Sequence, residues 1–166
     1  MKLVLLLAAC LPALLPNEPA AQRPVPPVTS APGSAVCGDL LQRYATRPVG
    51  VRFIGCTPGQ PGGQTVATAT YRVSGANSVS AEQFFHTHYG MAHLTFVCCG
   101  WEPAQGRTGQ VTSARLRKLH PNYALVITMY SDAQAMAQNL GRGDTGSWRN
   151  RRQVKQFIVE VRIMDV

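Results

Sequence analysis

The chain has 166 residues, 45% of them hydrophobic, and sixteen Lys and Arg against eight Asp and Glu, for a formal net charge of +8. That length suits one domain with a real buried core rather than several. Its N-terminal apolar run, residues 3–15, is shorter than the ~20 residues that cross a bilayer.

In chain order, Lys2, the apolar run and a small-residue segment at 19–21 have the layout of a bacterial secretory signal peptide. Leu7-Ala8-Ala9-Cys10 within it also spells a lipobox, so residues 1–21 read either as a leader cleaved after Ala21 or as a lipoprotein signal ending before Cys10. Lipidated Cys10 would tether the protein to a membrane. Against that reading, the apolar segment before Cys10 is short and the run continues past it, so both alternatives stand. Either way the protein is expected to be exported, to the periplasm or cell envelope, where cysteines oxidise and nucleotide cofactors are absent. No cofactor is expected.

Six prolines between residues 16 and 34 fix φ and remove donors, which predicts an extended spacer without a core. Residues 22–35 are accordingly read as a Pro-rich linker and residues 36–166 as a single globular domain.

The domain opens with a short predicted helix at 37–44, with Leu40, Leu41 and Tyr44 on one side. A strand at 51–56, a Pro/Gly turn at 57–63 and an alternating strand at 65–73 predict a hairpin, with Ala67, Ala69, Tyr71 and Val73 facing inward. Ser80 with Gln83 matches a capping box, Val79 with Phe84 a hydrophobic staple, and Gly90 a helix stop. The helix between them is expected to bury Phe84, Phe85 and His88, with Glu82 placed to suit the dipole. Residues 94–99 are apolar on both faces and predict a central strand. A second hairpin is expected from 111–118 and 123–130, then a short helix capped by Ser131 and Gln134. The last strand, 155–164, points Phe157, Val159, Val161 and Ile163 inward. Helices interleaved with hairpins predict an α+β fold: an antiparallel sheet of five to six strands with two or three short helices on one face, stapled by disulfides.

Apart from Cys10 there are four cysteines: Cys37, Cys56, Cys98 and Cys99. A bond between neighbours 98 and 99 requires a strained ring. The favoured arrangement therefore has Cys37 and Cys56 each reaching one of that pair; the alternative is Cys37–Cys56 with a reactive pair left over.

Phe53-Ile54-Gly55-Cys56, Tyr71-Arg72-Val73-Ser74-Gly75, and Gly90-Met91 followed by Phe96-Val97-Cys98-Cys99-Gly100-Trp101-Glu102 together resemble an uncharacterised family of exported bacterial proteins, a domain of unknown function. The Cys-Cys-Gly-Trp-Glu motif is the most specific part, and the resemblance covers most of residues 37–130, leaving the basic segment 141–155 unmatched. It implies export and compactness but no activity.

Nine cations against two acids lie between 103 and 155, and a field of one sign attracts anionic partners. Nucleic acid is not expected, because an exported protein rarely meets it. Trp148 followed by Arg149, Arg151 and Arg152, with Arg115 and Arg117, are the candidate contacts for a protein or an anionic envelope component, by stacking and bidentate hydrogen bonds. The competing reading is a solvated basic rim. Arg142-Gly143-Asp144 matches an adhesion tripeptide and reads as a turn, and Trp101 reads as a core residue beside the cysteines. His86 and His88 face different directions on a helix and cannot share a metal; His88 is expected to be half-buried and His86 solvated. No Gly-x-Ser-x-Gly elbow is present. The expectation is a monomeric, non-enzymatic binding module; the alternative is a thiol- or metal-dependent enzyme using Cys98, Cys99 and the histidines.

Overall fold

The computed structural model describes residues 36–97, 100–131 and 149–166. It is an α+β fold built on a five-stranded antiparallel sheet and a separate two-stranded ribbon. Helix α1 (Leu40–Tyr44) precedes the hairpin β1 (Arg52–Pro58) and β2 (Thr65–Ser74), and β2 runs directly into α2 (Gly75–Tyr89). The ribbon β3 (Leu94–Val97) and β4 (Gly100–Pro103) is followed by β5 (Gly109–Val111), α3 (Ala114–Arg117), β6 (Tyr123–Ser131) and β7 (Gln156–Asp165). The sheet order is β1-β2-β7-β6-β5, so the C-terminal strand occupies the centre.

Alternation explains which face is covered. Ala69, Tyr71 and Val73 of β2, Leu125, Ile127 and Met129 of β6, and Phe157, Val159, Val161 and Ile163 of β7 form one cluster with Leu40 and Leu41 of α1, Ala81 and Phe85 of α2, and Leu116 of α3. The three helices named here, all among the described residues, thus pack on one face of the sheet. Burying a side chain such as Phe85 contributes about 1.5–3 kcal/mol. The predicted inward sets of the second and last strands are all buried. Among the described residues no helix is long and apolar enough to cross a membrane.

A polar knot joins α1 to the sheet. Asp39 caps α1 by accepting from the Gln42 backbone N–H at 3.1 Å, and the same oxygen accepts the Tyr71 hydroxyl at 2.9 Å. The Tyr71 oxygen in turn accepts the Leu41 N–H at 2.9 Å, and the second Asp39 oxygen meets Arg47 at 3.2 Å. Burial first, and then the nearby Asp39 carboxylate, hold the Tyr71 phenol protonated well above its ordinary range.

That packing settles one cysteine question. Cys37 and Cys56 form a disulfide with a Cα–Cα distance of 5.6 Å. The favoured linkage of each to the 98–99 pair is overturned, because α1 sits directly against the β1–β2 hairpin and brings Cys37 beside β1. Cys98 and Cys99 themselves lie outside the described residues.

Three predicted elements are corrected. Helix α2 begins at Gly75, six residues before the expected first turn at 81, so Ser80 is an interior residue whose hydroxyl donates to the Asn77 carbonyl at 3.0 Å. Gln83 donates to Thr87 rather than closing a capping box, and Val79 is 48% exposed instead of stapled. The cause is tertiary: a Cβ on Gly75 would lie 2.0 Å from the Val154 carbonyl oxygen, so this glycine lets the helix start pressed against the segment before β7. Gly90 ends the helix as expected, in the left-handed conformation at φ 70°.

Strand β3 is not central. It pairs only with β4 in the ribbon, and Thr95 and Val97 are exposed, so coverage on both sides is missing. The expected hairpin at 111–118 is also replaced: β5 ends at Val111, Ser113 accepts from the Leu116 N–H at 3.1 Å, and that cap starts α3 with Leu116 buried. The helix expected after Ser131 falls outside the described residues.

Candidate functional site

The helix α2 start is the pivot of the site. Segment 149–155 lies against it, and Arg151 reaches inward from that segment to the Glu82 carboxylate. Its second terminal nitrogen donates to the Ser78 carbonyl at 3.2 Å, and the guanidinium stands 5.2 Å from the Trp101 ring centroid and 5.8 Å from that of Phe157. Glu82 is 4% exposed and also accepts the Leu94 N–H at 2.7 Å, with His93 at 3.0 Å. Because α2 begins at Gly75, Glu82 lies beyond the first turn and is not the dipole partner expected there. It is a buried hub joining α2, β3 and the segment before β7. Burying a carboxylate requires such pairing, since an isolated charge there would cost several kcal/mol.

Around that hub a shallow groove of about 600 Å³ is lined by Val79, Trp101, Arg149, Asn150, Arg151 and Arg152. Arg149 and Arg152 are exposed, whereas the Arg151 side chain is only 15% exposed. Arg149 stands 5.4 Å over the Phe96 ring. Trp101 is half-buried, anchored by its backbone N–H donating to the Ser131 hydroxyl at 2.8 Å. The groove thus has an aromatic and aliphatic floor and a cationic rim.

Of the residues singled out in the sequence, Arg149, Arg151 and Arg152 are brought together here, with Arg151 engaged inside the fold. Trp148 and the Arg142-Gly143-Asp144 tripeptide lie outside the described residues. Arg115 and Arg117 are exposed on α3, where Arg115 donates to the Arg43 carbonyl at 3.4 Å, and neither lines the groove. The histidines reverse their expected burial. His86 is half-buried, its Nδ1 2.8 Å from the Met91 carbonyl oxygen, and stacks on His93 at 3.9 Å. His88 is exposed and stacks on Phe84 at 4.1 Å. Their shared helix puts His86 toward the β3 side and leaves His88 on the solvent side. Among the described residues, no three His, Cys, Asp or Glu are grouped as a metal site.

Sequence reasoning missed Glu82 as a hub, because its partners lie in segments that only the tertiary fold brings close. It also missed a second basic hollow beside the start of α2, lined by Arg52, Arg72, Lys155 and Asn77. The alternation of β2 placed Arg72 on the outer face, but the β1 register that sets Arg52 opposite it was not readable.

No curated protein and no solved structure matches the chain. Residues 27–101, from the Pro-rich segment through Trp101 of the groove floor, match the model of a family described as a domain of unknown function, DUF4952.

Proposed function

We propose that this chain is an exported binding module of the bacterial cell envelope that takes an acidic protein partner in the groove at the start of α2. The observation that carries the proposal is the groove itself: exposed Arg149 and Arg152 flank a floor of Trp101 and half-exposed Val79. Aromatic and arginine side chains dominate binding energy at protein interfaces, and a net charge of +8 favours an acidic counterpart. Arg151, paired with Glu82, stands over the Trp101 ring and backs the floor from within. The apolar leader-like segment and the Cys37–Cys56 disulfide support an oxidising, exported setting.

The test is capture from envelope extract with the full-length protein and its Arg149→Glu/Arg152→Glu variant. A protein retained by the wild type and released by charge reversal supports the reading. Retention that is the same for both contradicts it. Binding only to anionic vesicles would move the reading from a protein to a lipid surface.

A further inference from the structure

The hollow on the other side of the first α2 turn has a volume of about 250 Å³ and is lined by Arg52, Arg72, Lys155, Ser74, Asn77 and Gly50, among others. Three cations line it. Arg52 and Arg72 are direct register partners in the β1–β2 ladder, an arrangement that is destabilising for like charges with nothing between them. Lys155 comes to the same end because it precedes Gln156, the register partner of Ser74. Among the described residues none of the three lies in an ion pair, although Arg47 and Arg151 both do. Glu160, an acid on the same outer face as Arg72, accepts the Tyr130 hydroxyl at 2.7 Å instead.

The uncharged lining is arranged for the same purpose. Ser74 is the N-cap of the 15-residue α2 but makes no side-chain cap bond, which leaves its hydroxyl and the positive helix end available to an anion. Gly50 has φ +83°, and a Cβ there would stand 2.7 Å from the Asn77 side-chain nitrogen. The missing side chain therefore lets the Asn77 side chain pack directly on Gly50, and both residues line the hollow.

We propose that this hollow binds a phosphoryl group: a phosphomonoester or inorganic phosphate. A dianion matches three cations better than a carboxylate, which would leave most of the positive charge unanswered. Guanidinium forks pair with phosphate oxygens in bidentate fashion, and lysine adds a point charge. The volume is below the ~300–1,000 Å³ of pockets that enclose whole small ligands, which suits a headgroup rather than an entire molecule. The site is separate from the groove and does not depend on the partner proposed there.

The test uses the full-length protein with two probes: inorganic phosphate followed by calorimetry, and phosphatidylcholine vesicles with and without phosphatidic acid followed by sedimentation. Arg52→Gln/Arg72→Gln is expected to weaken binding by at least about tenfold, since a hydrogen bond to a charged group is worth roughly 1.5–3 kcal/mol. Arg149→Gln/Arg152→Gln is expected to leave phosphate binding unchanged, which separates this site from the groove. Binding of inorganic phosphate supports the free ion as a source; binding only to phosphatidic acid vesicles supports a lipid headgroup. Phosphate should also raise the wild-type melting temperature and leave that of the Arg52/Arg72 variant still. If that variant does not fold, Lys155→Gln/Asn77→Ala carries the same expectation. Failure of the wild type to bind either probe, or full binding by the variants, overturns the proposal.

Discussion

Glu82 and Arg151 stand 69 positions apart in the chain and meet as an ion pair, the carboxylate buried and the guanidinium side chain only 15% exposed. This contact fixes the segment before β7 against α2, and with it the wall of the groove. Arg151→Met is expected to lower stability by about 3–5 kcal/mol, because it strands a buried carboxylate. The double variant Glu82→Gln/Arg151→Met should recover part of that loss. Urea denaturation of the four proteins of the cycle measures both quantities; a neutral Arg151→Met would show that the pair is not structural.

Tyr71 makes stability fall in alkali. Its phenol is held protonated above the ordinary tyrosine value by burial and by Asp39. A raised folded-state pKa means that its stabilisation is complete below about pH 10 and is lost as pH rises toward the folded value. Tyr71→Phe removes that slope, so the two stability curves should converge above pH 10. At neutral pH the same substitution leaves the Leu41 N–H without its acceptor and should cost about 1–3 kcal/mol. Chemical denaturation across a pH series checks both parts.

The Cys37–Cys56 bond closes a loop with a sequence separation of 19, for which the loop-entropy model gives about 3 kcal/mol. Peptide mapping of the non-reduced protein should recover these two cysteines in one linked fragment. Cys37→Ser/Cys56→Ser should fold with a lower melting temperature. Recovery of Cys37 or Cys56 linked to Cys98 or Cys99 would contradict the pairing.

Much of this fold could be read in the residues, and the parts that could not share a cause. Period-two alternation placed Tyr71 and Val73, and Phe157 through Ile163, on the buried face, because β2 and β7 each have one covered side. Gly90 announced the end of α2 because only a residue tolerant of positive φ fits there. The start of α2 was not legible: it depends on Gly75 touching carbonyls of residues 151 and 154, a contact that local capping signals cannot report. The same applies to the site. Arg149 and Arg152 stood out as a charge run, but Glu82 and the Arg52–Arg72 juxtaposition exist only once distant strands are in register.

Serine capping gives a direct check on the corrected helix boundaries. Ser113→Ala removes the acceptor for the Leu116 N–H and should cost about 1 kcal/mol. Ser80→Ala, within the interior of α2, should change stability by less than about 0.5 kcal/mol. Equal costs for the two would restore Ser80 as a helix cap.

The groove is tested most directly by a photo-crosslinking amino acid at Val79 of the full-length protein in living cells, with Leu119, equally exposed but outside the groove, as the comparison site. A discrete protein adduct is expected from Val79, absent from Leu119 and lost with Arg149→Glu/Arg152→Glu. Adducts that form alike at both positions, or that survive charge reversal, would contradict a partner seated in the groove.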